Sequence, residues 1–212
     1  MKCNRMKQLL SGIFLLTAFA LWTILLSLID MQAIGPQGSV VGFASLNQWF
    51  HNLTGVNMLL YHITDWLGLV PVAVGLGFAI FGFVQWVKRK HILMVDRSIL
   101  VLGGFYIAVM IAYIFFEEYI VNYRPILIEG YFEASYPSST TLLVMCVMPT
   151  ALSQLRGRIR NRKLRQWVSM LVVAFIAFMV IGRLISGVHW LSDIIGGALL
   201  SAGLVTLYHS AL

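Results

Sequence analysis

Arg183, His189 and Asp193 lie in GRLISGVHWLSD (182–193), the arginine six residues before the histidine and the carboxylate four after it. If the chain is helical there, His189 and Asp193 share one face, because side chains four apart are neighbours on an α-helix. An imidazole held by a carboxylate is oriented and more basic. NYRP (122–125) supplies a second arginine, Arg124, and YPSSTT (136–141) places Ser138, Ser139 and Thr140 behind Pro137 at a predicted helix start. Ser and Thr are preferred N-cap residues, and the free N–H groups of a first turn also attract anions. Two guanidiniums beside such a turn suit a phosphate, to which arginine offers a planar fork of donors.

Taken singly, each residue has a plainer role. His189 suits an interfacial polar position, Asp193 a cap of the next helix, Arg183 a side chain snorkelling toward headgroups, and the hydroxyl run a cap alone. Their convergence favours a site, because ionisable groups at membrane depth are costly and mark function.

Membrane depth follows from composition. The chain has 212 residues, 59% of them hydrophobic and 11% charged, with a mean hydropathy of +0.85, far outside the soluble range. A helix crosses a hydrocarbon core of about 30 Å with roughly 20 residues. Six apolar runs meet that need: Leu9–Ile29, Trp66–Val87, Ile99–Phe116, Thr140–Leu155, Trp167–Ile185 and Leu191–Leu212. The expected fold is therefore all-α, a polytopic membrane protein with six transmembrane helices in one domain over residues 1–212. Ala18-Phe19-Ala20 resembles a signal-cleavage site, but the apolar stretch runs on to Leu28, so the first run is expected to stay as an anchor.

Basic residues mark cytoplasmic loops. Thirteen of the fifteen Lys and Arg residues precede the first run or fall in the second-to-third and fourth-to-fifth connections, which puts both termini inside. Arg124 and Arg183 are the two exceptions, on the outer side. Of the acidic residues, only Asp96 falls inside. The net charge of +7 is thus an inner-face feature suited to anionic lipid, and nucleic acid need not be invoked. On the outer side, residues 38–57 place Val41, Phe43, Leu46, Trp49, Phe50 and Leu53 near helical spacing, as in an interfacial helix. Cys3 and Cys146 are expected to remain thiols.

Arg-Pro, then Pro-Ser at a helix start, then Arg-x5-His-x3-Asp resembles the type-2 phosphatidic acid phosphatase superfamily of membrane lipid phosphatases. Its pattern is Lys-x6-Arg-Pro, Pro-Ser-Gly-His and Ser-Arg-x5-His-x3-Asp, matched here within 117–141 and 182–193. The resemblance implies that His189 is the nucleophile and carries a phosphohistidine, with Asp193 orienting it. It implies that Arg124 and Arg183 clamp the phosphoryl group, with Ser138, Ser139 and Thr140 at the cradle. It implies no cofactor and no metal. The implied partner is a lipid phosphate or diphosphate, met at the outer face of the cell membrane.

The sequence departs from the pattern at four positions. Glu117 stands where the family has lysine, Ser139 where it has glycine, Gly182 where it has serine, and Thr140 where it has the second histidine. That histidine implies a general acid for the leaving oxygen, help worth about a hundred- to ten-thousandfold, which threonine cannot supply. A diphosphate loses least by this, since its leaving group is already a phosphate. Glu133, Tyr131, Tyr136 and His62 are the alternative proton donors on or near the outer side. A second reading is a catalytically impaired relative that binds lipid or polyprenyl phosphate headgroups as a sensor, chaperone or transporter. The kept His189–Asp193 pair favours the enzyme.

Overall fold

The computed structural model describes residues 2–212, and Met1, at the head of the basic segment before the first apolar run, lies outside them. Eight α-helices form among the described residues: α1 (Lys2–Leu26), α2 (Ala44–Thr54), α3 (Met58–Leu67), α4 (Leu69–Arg89), α5 (Arg97–Glu118), α6 (Ser139–Arg158), α7 (Arg162–Ile185) and α8 (Leu191–Ala211). The protein is an all-α membrane protein. Five helical segments are long and apolar enough to cross a bilayer: Cys3–Leu26, Met58–Arg89, Arg97–Glu118, Arg162–Ile185 and Leu191–Ala211.

The fourth predicted run corresponds to α6, which falls outside that set; polar residues, Thr150, Gln154, Arg156 and Arg158 among them, interrupt its apolar stretch. Its place in the bundle explains the polarity. α6 packs against α4, α5, α7 and α8, so its side chains meet protein and its polar groups can be satisfied there. The Thr150 hydroxyl donates to the Cys146 carbonyl at 2.7 Å, and Gln154 Nε2 donates to the Tyr208 hydroxyl at 2.7 Å. Exposed to lipid, such groups would cost free energy; enclosed and paired, they cost little.

α1 and α8 run antiparallel along their length. Arg5 donates to the Leu212 carbonyl at 2.7 Å at one end, and Trp22 Nε1 to the Ser192 carbonyl at 3.2 Å at the other. The two chain ends therefore lie at the same end of the bundle. Phe19 and Leu26 of α1 join Leu142, Cys146 and Leu200 in the main core. Cys146 is buried and Cys3 exposed, both as free thiols.

Three features lie beyond the sequence reading. The second apolar run is the later part of a longer helical stretch: α3 precedes α4, with Gly68 between them. The segment 119–138 closes into a hairpin, with Tyr123 bridged to Ala134 and Ile128 to Tyr131. Its tip, Glu129-Gly130, has positive φ at both residues, the signature of a type I′ turn. Within the outer segment, α2 is tied down by a polar residue. Asn47 is fully buried, donating to the Gly42 carbonyl and the Ser192 hydroxyl, while Leu46, Trp49 and Leu53 are exposed.

Candidate active site

The predicted site segments meet at the bundle end opposite the basic loops. Arg183 closes α7, the turn 186–190 carries His189, and α8 begins at Leu191. His189 thus precedes the helix instead of sharing a helical face with Asp193. Gly187 makes the turn possible: its φ is +70°, and a Cβ there would collide with the backbone of Gly55. Asp193 is the third residue of α8, where its carboxylate accepts from the Trp190 N–H at 2.8 Å. It serves as a capping-box acid as well as a partner for histidine.

His189 Nδ1 lies 3.8 Å from Asp193 Oδ2. Ser135, outside the predicted site residues, stands between them, its Oγ 3.1 Å from Nδ1 and 2.5 Å from Oδ2. The other ring nitrogen, Nε2, is buried and has no hydrogen-bond partner. Burial first, and then the positive charges of Arg124 and Arg183, hold the imidazole well below the usual histidine range. Both effects favour the neutral ring.

The two arginines present matching unfilled donors. Arg183 is 1% exposed, and its Nε and Nη1 are buried without partners, as is Arg124 Nη1. Each guanidinium is held on its other side by a carboxylate: Arg124 Nη2 by Glu133 at 3.1 Å and Arg183 Nη2 by Asp65 at 3.5 Å. Both lie over one ring, that of Tyr61 in α3, with Cζ 5.7 Å from its centroid for Arg124 and 5.0 Å for Arg183. Tyr61 and Asp65 are four apart and share a helix face. Sequence reading passes over both, because nothing near them in the chain announces an arginine sixty or more residues away.

The hydroxyl run divides by role. Ser138 is the N-cap of α6, fully buried, its Oγ accepting from the Thr141 N–H at 3.4 Å and the Thr141 hydroxyl at 3.1 Å. Its own N–H goes to the Asp193 carbonyl at 3.1 Å, joining α6 to α8. Ser139 and Thr140 begin the helix beyond it, with the free N–H groups of a first turn. Ser139 lines a small pocket with Glu117, Tyr113, Ala134 and Pro137, so Glu117 approaches the same helix start. An apolar cleft of about 850 Å³ between α4 and α5 is lined by none of these residues.

The family model of the PAP2 superfamily matches residues 74–212, more than half of the chain and all of the site segments. The chain belongs to the PAP2 superfamily. No curated protein sequence matches it. The crystal structure of a transmembrane PAP2-type phosphatidylglycerolphosphate phosphatase from Bacillus subtilis is similar, with a TM-score of 0.57 at 19% identity, over 94% of this chain and 93% of that one. At that identity the likeness speaks for the fold.

As a PAP2 superfamily chain, it places its departures in informative positions. Gly182, at the motif's serine, lies where a Cβ would sit 2.7 Å from Thr64 Cγ2; close packing of α7 on α3 leaves no room for a side chain. Of the alternative proton donors, Tyr136 is buried with its hydroxyl 2.6 Å from Thr23 Oγ1, and Tyr131 is 74% exposed. The His62 ring lies 5.2 Å from that of Tyr61, on an exposed side chain. Glu133 is the one of the four that pairs with Arg124, at 3.1 Å. Among the described residues, no group of three or more His, Cys, Asp or Glu is placed to hold a metal.

Proposed function

We propose that this PAP2 superfamily member is a membrane lipid phosphatase that transfers a phosphoryl group to His189 Nε2 and then to water, with lipid diphosphates preferred over monoesters. The observation that carries the reading is the buried, unpartnered Nε2 together with three buried, unpartnered guanidinium nitrogens, on the two arginines, Arg124 and Arg183, whose charges act on the imidazole. Buried polar atoms normally have partners, and a phosphoryl group, with three equatorial oxygens, answers those donors while offering phosphorus to the imidazole. Asp65 and Glu133 hold the arginines in place through their remaining nitrogens. Ser139 and Thr140 add backbone N–H groups at the α6 start, while Ser138 fixes that start by capping it.

The diphosphate preference comes from Thr140. Attack by Nε2 forms a P–N bond and breaks the bond to the leaving oxygen. An alkoxide leaves only if protonated, whereas a phosphate leaves as a stable anion, so loss of the acid penalises monoesters. The site end of the bundle, opposite the loops rich in Lys and Arg, is assigned to the outer face of the cell membrane, with both termini inside and six spans counting the enclosed α6. Anionic lipid would meet the basic loops. Thr140 and Glu117 also favour a second reading, a headgroup-binding relative without turnover.

Purified protein offered farnesyl diphosphate and phosphatidic acid tests the assignment. The expected result is phosphate release faster from the diphosphate, abolished in His189→Ala, with an acid-labile phosphohistidine trapped in the wild type. Faster release from phosphatidic acid contradicts the preference. Retained binding with turnover from neither substrate supports the binding relative.

A further inference from the structure

We infer that Ser135 is a positioning residue, its hydroxyl the link through which Asp193 fixes the tautomer of His189. The inference rests on the reading of His189 as the phosphoryl acceptor. At 3.8 Å, the direct approach of Nδ1 to Oδ2 is too long for a hydrogen bond. Ser135 Oγ fills the gap, 3.1 Å from the nitrogen and 2.5 Å from the carboxylate. The residue is 1% exposed, so water does not compete for either contact. Its position is set by the hairpin, whose feet are joined by the Ser135 N–H donating to the Asn122 carbonyl at 2.9 Å.

The direction of the chain of hydrogen bonds follows from donor chemistry. Asp193 also accepts from the Trp190 N–H at 2.8 Å and the Ser192 hydroxyl at 3.4 Å. Ser135 and the Trp190 N–H both donate to the same oxygen, Oδ2, and a carboxylate oxygen in that position acts as an acceptor. The Ser135 proton therefore points to Asp193, and the Ser135 lone pair is left to accept a proton from Nδ1. With Nδ1 protonated, the neutral ring must carry its lone pair on Nε2, the buried nitrogen without a partner. When Nε2 bonds to phosphorus, the leaving oxygen departs with the electron pair of the broken P–O bond. Nδ1 keeps its proton, and the ring's new positive charge faces Asp193 through the serine. Reversal of this polarity would put the proton on Nε2 and remove the nucleophile.

The ring nitrogens report this directly. In detergent-solubilised protein carrying ring-15N histidine, the signals lost in His189→Gln identify His189. The wild type is expected to show a protonated Nδ1 and a bare Nε2. Ser135→Ala should give mixed tautomers, while Ser135→Thr, which restores a hydroxyl, should keep the wild-type pattern. Asp193→Asn leaves Ser135 in place but supplies an amide donor, so its Nε2 should become protonated, and this variant decides the matter if Ser135→Ala does not fold. With farnesyl diphosphate, Ser135→Ala should lower kcat about ten- to a hundredfold with KM unchanged, the usual cost of losing a partner that orients a reacting group. An unaltered tautomer in both Ser135→Ala and Asp193→Asn overturns the relay, as does full turnover in Ser135→Ala. If the wild type hydrolyses no lipid phosphate, the phosphatase reading fails, yet the nitrogen spectra still decide whether Ser135 sets the tautomer.

Discussion

At the scale of single residues, the proposed site has His189 as nucleophile and Arg124 and Arg183 as clamp, but Thr140 stands where the family pattern has the histidine that would protonate the leaving group. Thr140→His should therefore raise kcat on phosphatidic acid by about a hundred- to ten-thousandfold while changing farnesyl diphosphate turnover far less. A uniform change on both substrates would show that leaving-group protonation is not what Thr140 withholds. The pH dependence follows from His189, whose pKa is lowered by burial and then by Arg124 and Arg183. The neutral form reacts, so kcat/KM should stay level as pH falls through about 6.5, the ordinary imidazole value, and decline only at lower pH. Arg124→Ala removes one of the depressing charges, raises the pKa, and should shift the acid limb of the profile to higher pH.

At the scale of elements, α3 organises what α7 and the hairpin deliver. Two guanidiniums repel each other, and the Tyr61 ring gives both a common face, with cation–π attraction worth about 0.5–2 kcal/mol each. Tyr61→Leu should raise KM roughly tenfold, about 1.4 kcal/mol, while Tyr61→Phe should stay near wild type; steady-state kinetics on farnesyl diphosphate separates them. The same helix sets the limit at position 182. Gly182→Ser restores the family serine but drives its Cβ toward Thr64 Cγ2, 2.7 Å away. Overpacking of this kind costs about 1–3 kcal/mol, so the variant should unfold at lower temperature in detergent. Adding Thr64→Ser, which deletes that methyl, should recover most of the loss.

At the scale of the whole molecule, the two chain ends lie together, joined through Arg5 and Leu212, and the site is at the opposite end. Cys3 is exposed and Cys146 buried, so the native chain carries one reporter of orientation. A membrane-impermeant maleimide should leave Cys3 unmodified in intact cells and label it after permeabilisation. A cysteine replacing Tyr131, at the exposed hairpin tip, should be labelled from outside without permeabilisation. The reverse pattern would invert the topology. The α6 helix belongs to this scale too, since its polar residues make sense only inside a ring of neighbours. Hydropathy alone places a span there because the early part, Leu142 to Met148, is apolar, but hydropathy cannot show that α6 is enclosed.

Much of this is legible in the sequence. Long apolar runs determine helices in a membrane, because backbone N–H and C=O groups without water must pair within the segment. The distribution of Lys and Arg determines which loops belong together, and Arg-x5-His-x3-Asp marks residues that the fold brings together with Ser135. Ser138 also reads correctly as a cap, since its partner, Thr141, is three residues away. Tertiary structure decides the rest, and for one physical reason: the decisive contacts join residues distant in sequence. Ser135 meets His189 across 54 positions, and Tyr61 meets both arginines from a helix without a local motif. In the sequence, His189 and Asp193 are a pair; folding makes them a triad by bringing a hairpin foot between them.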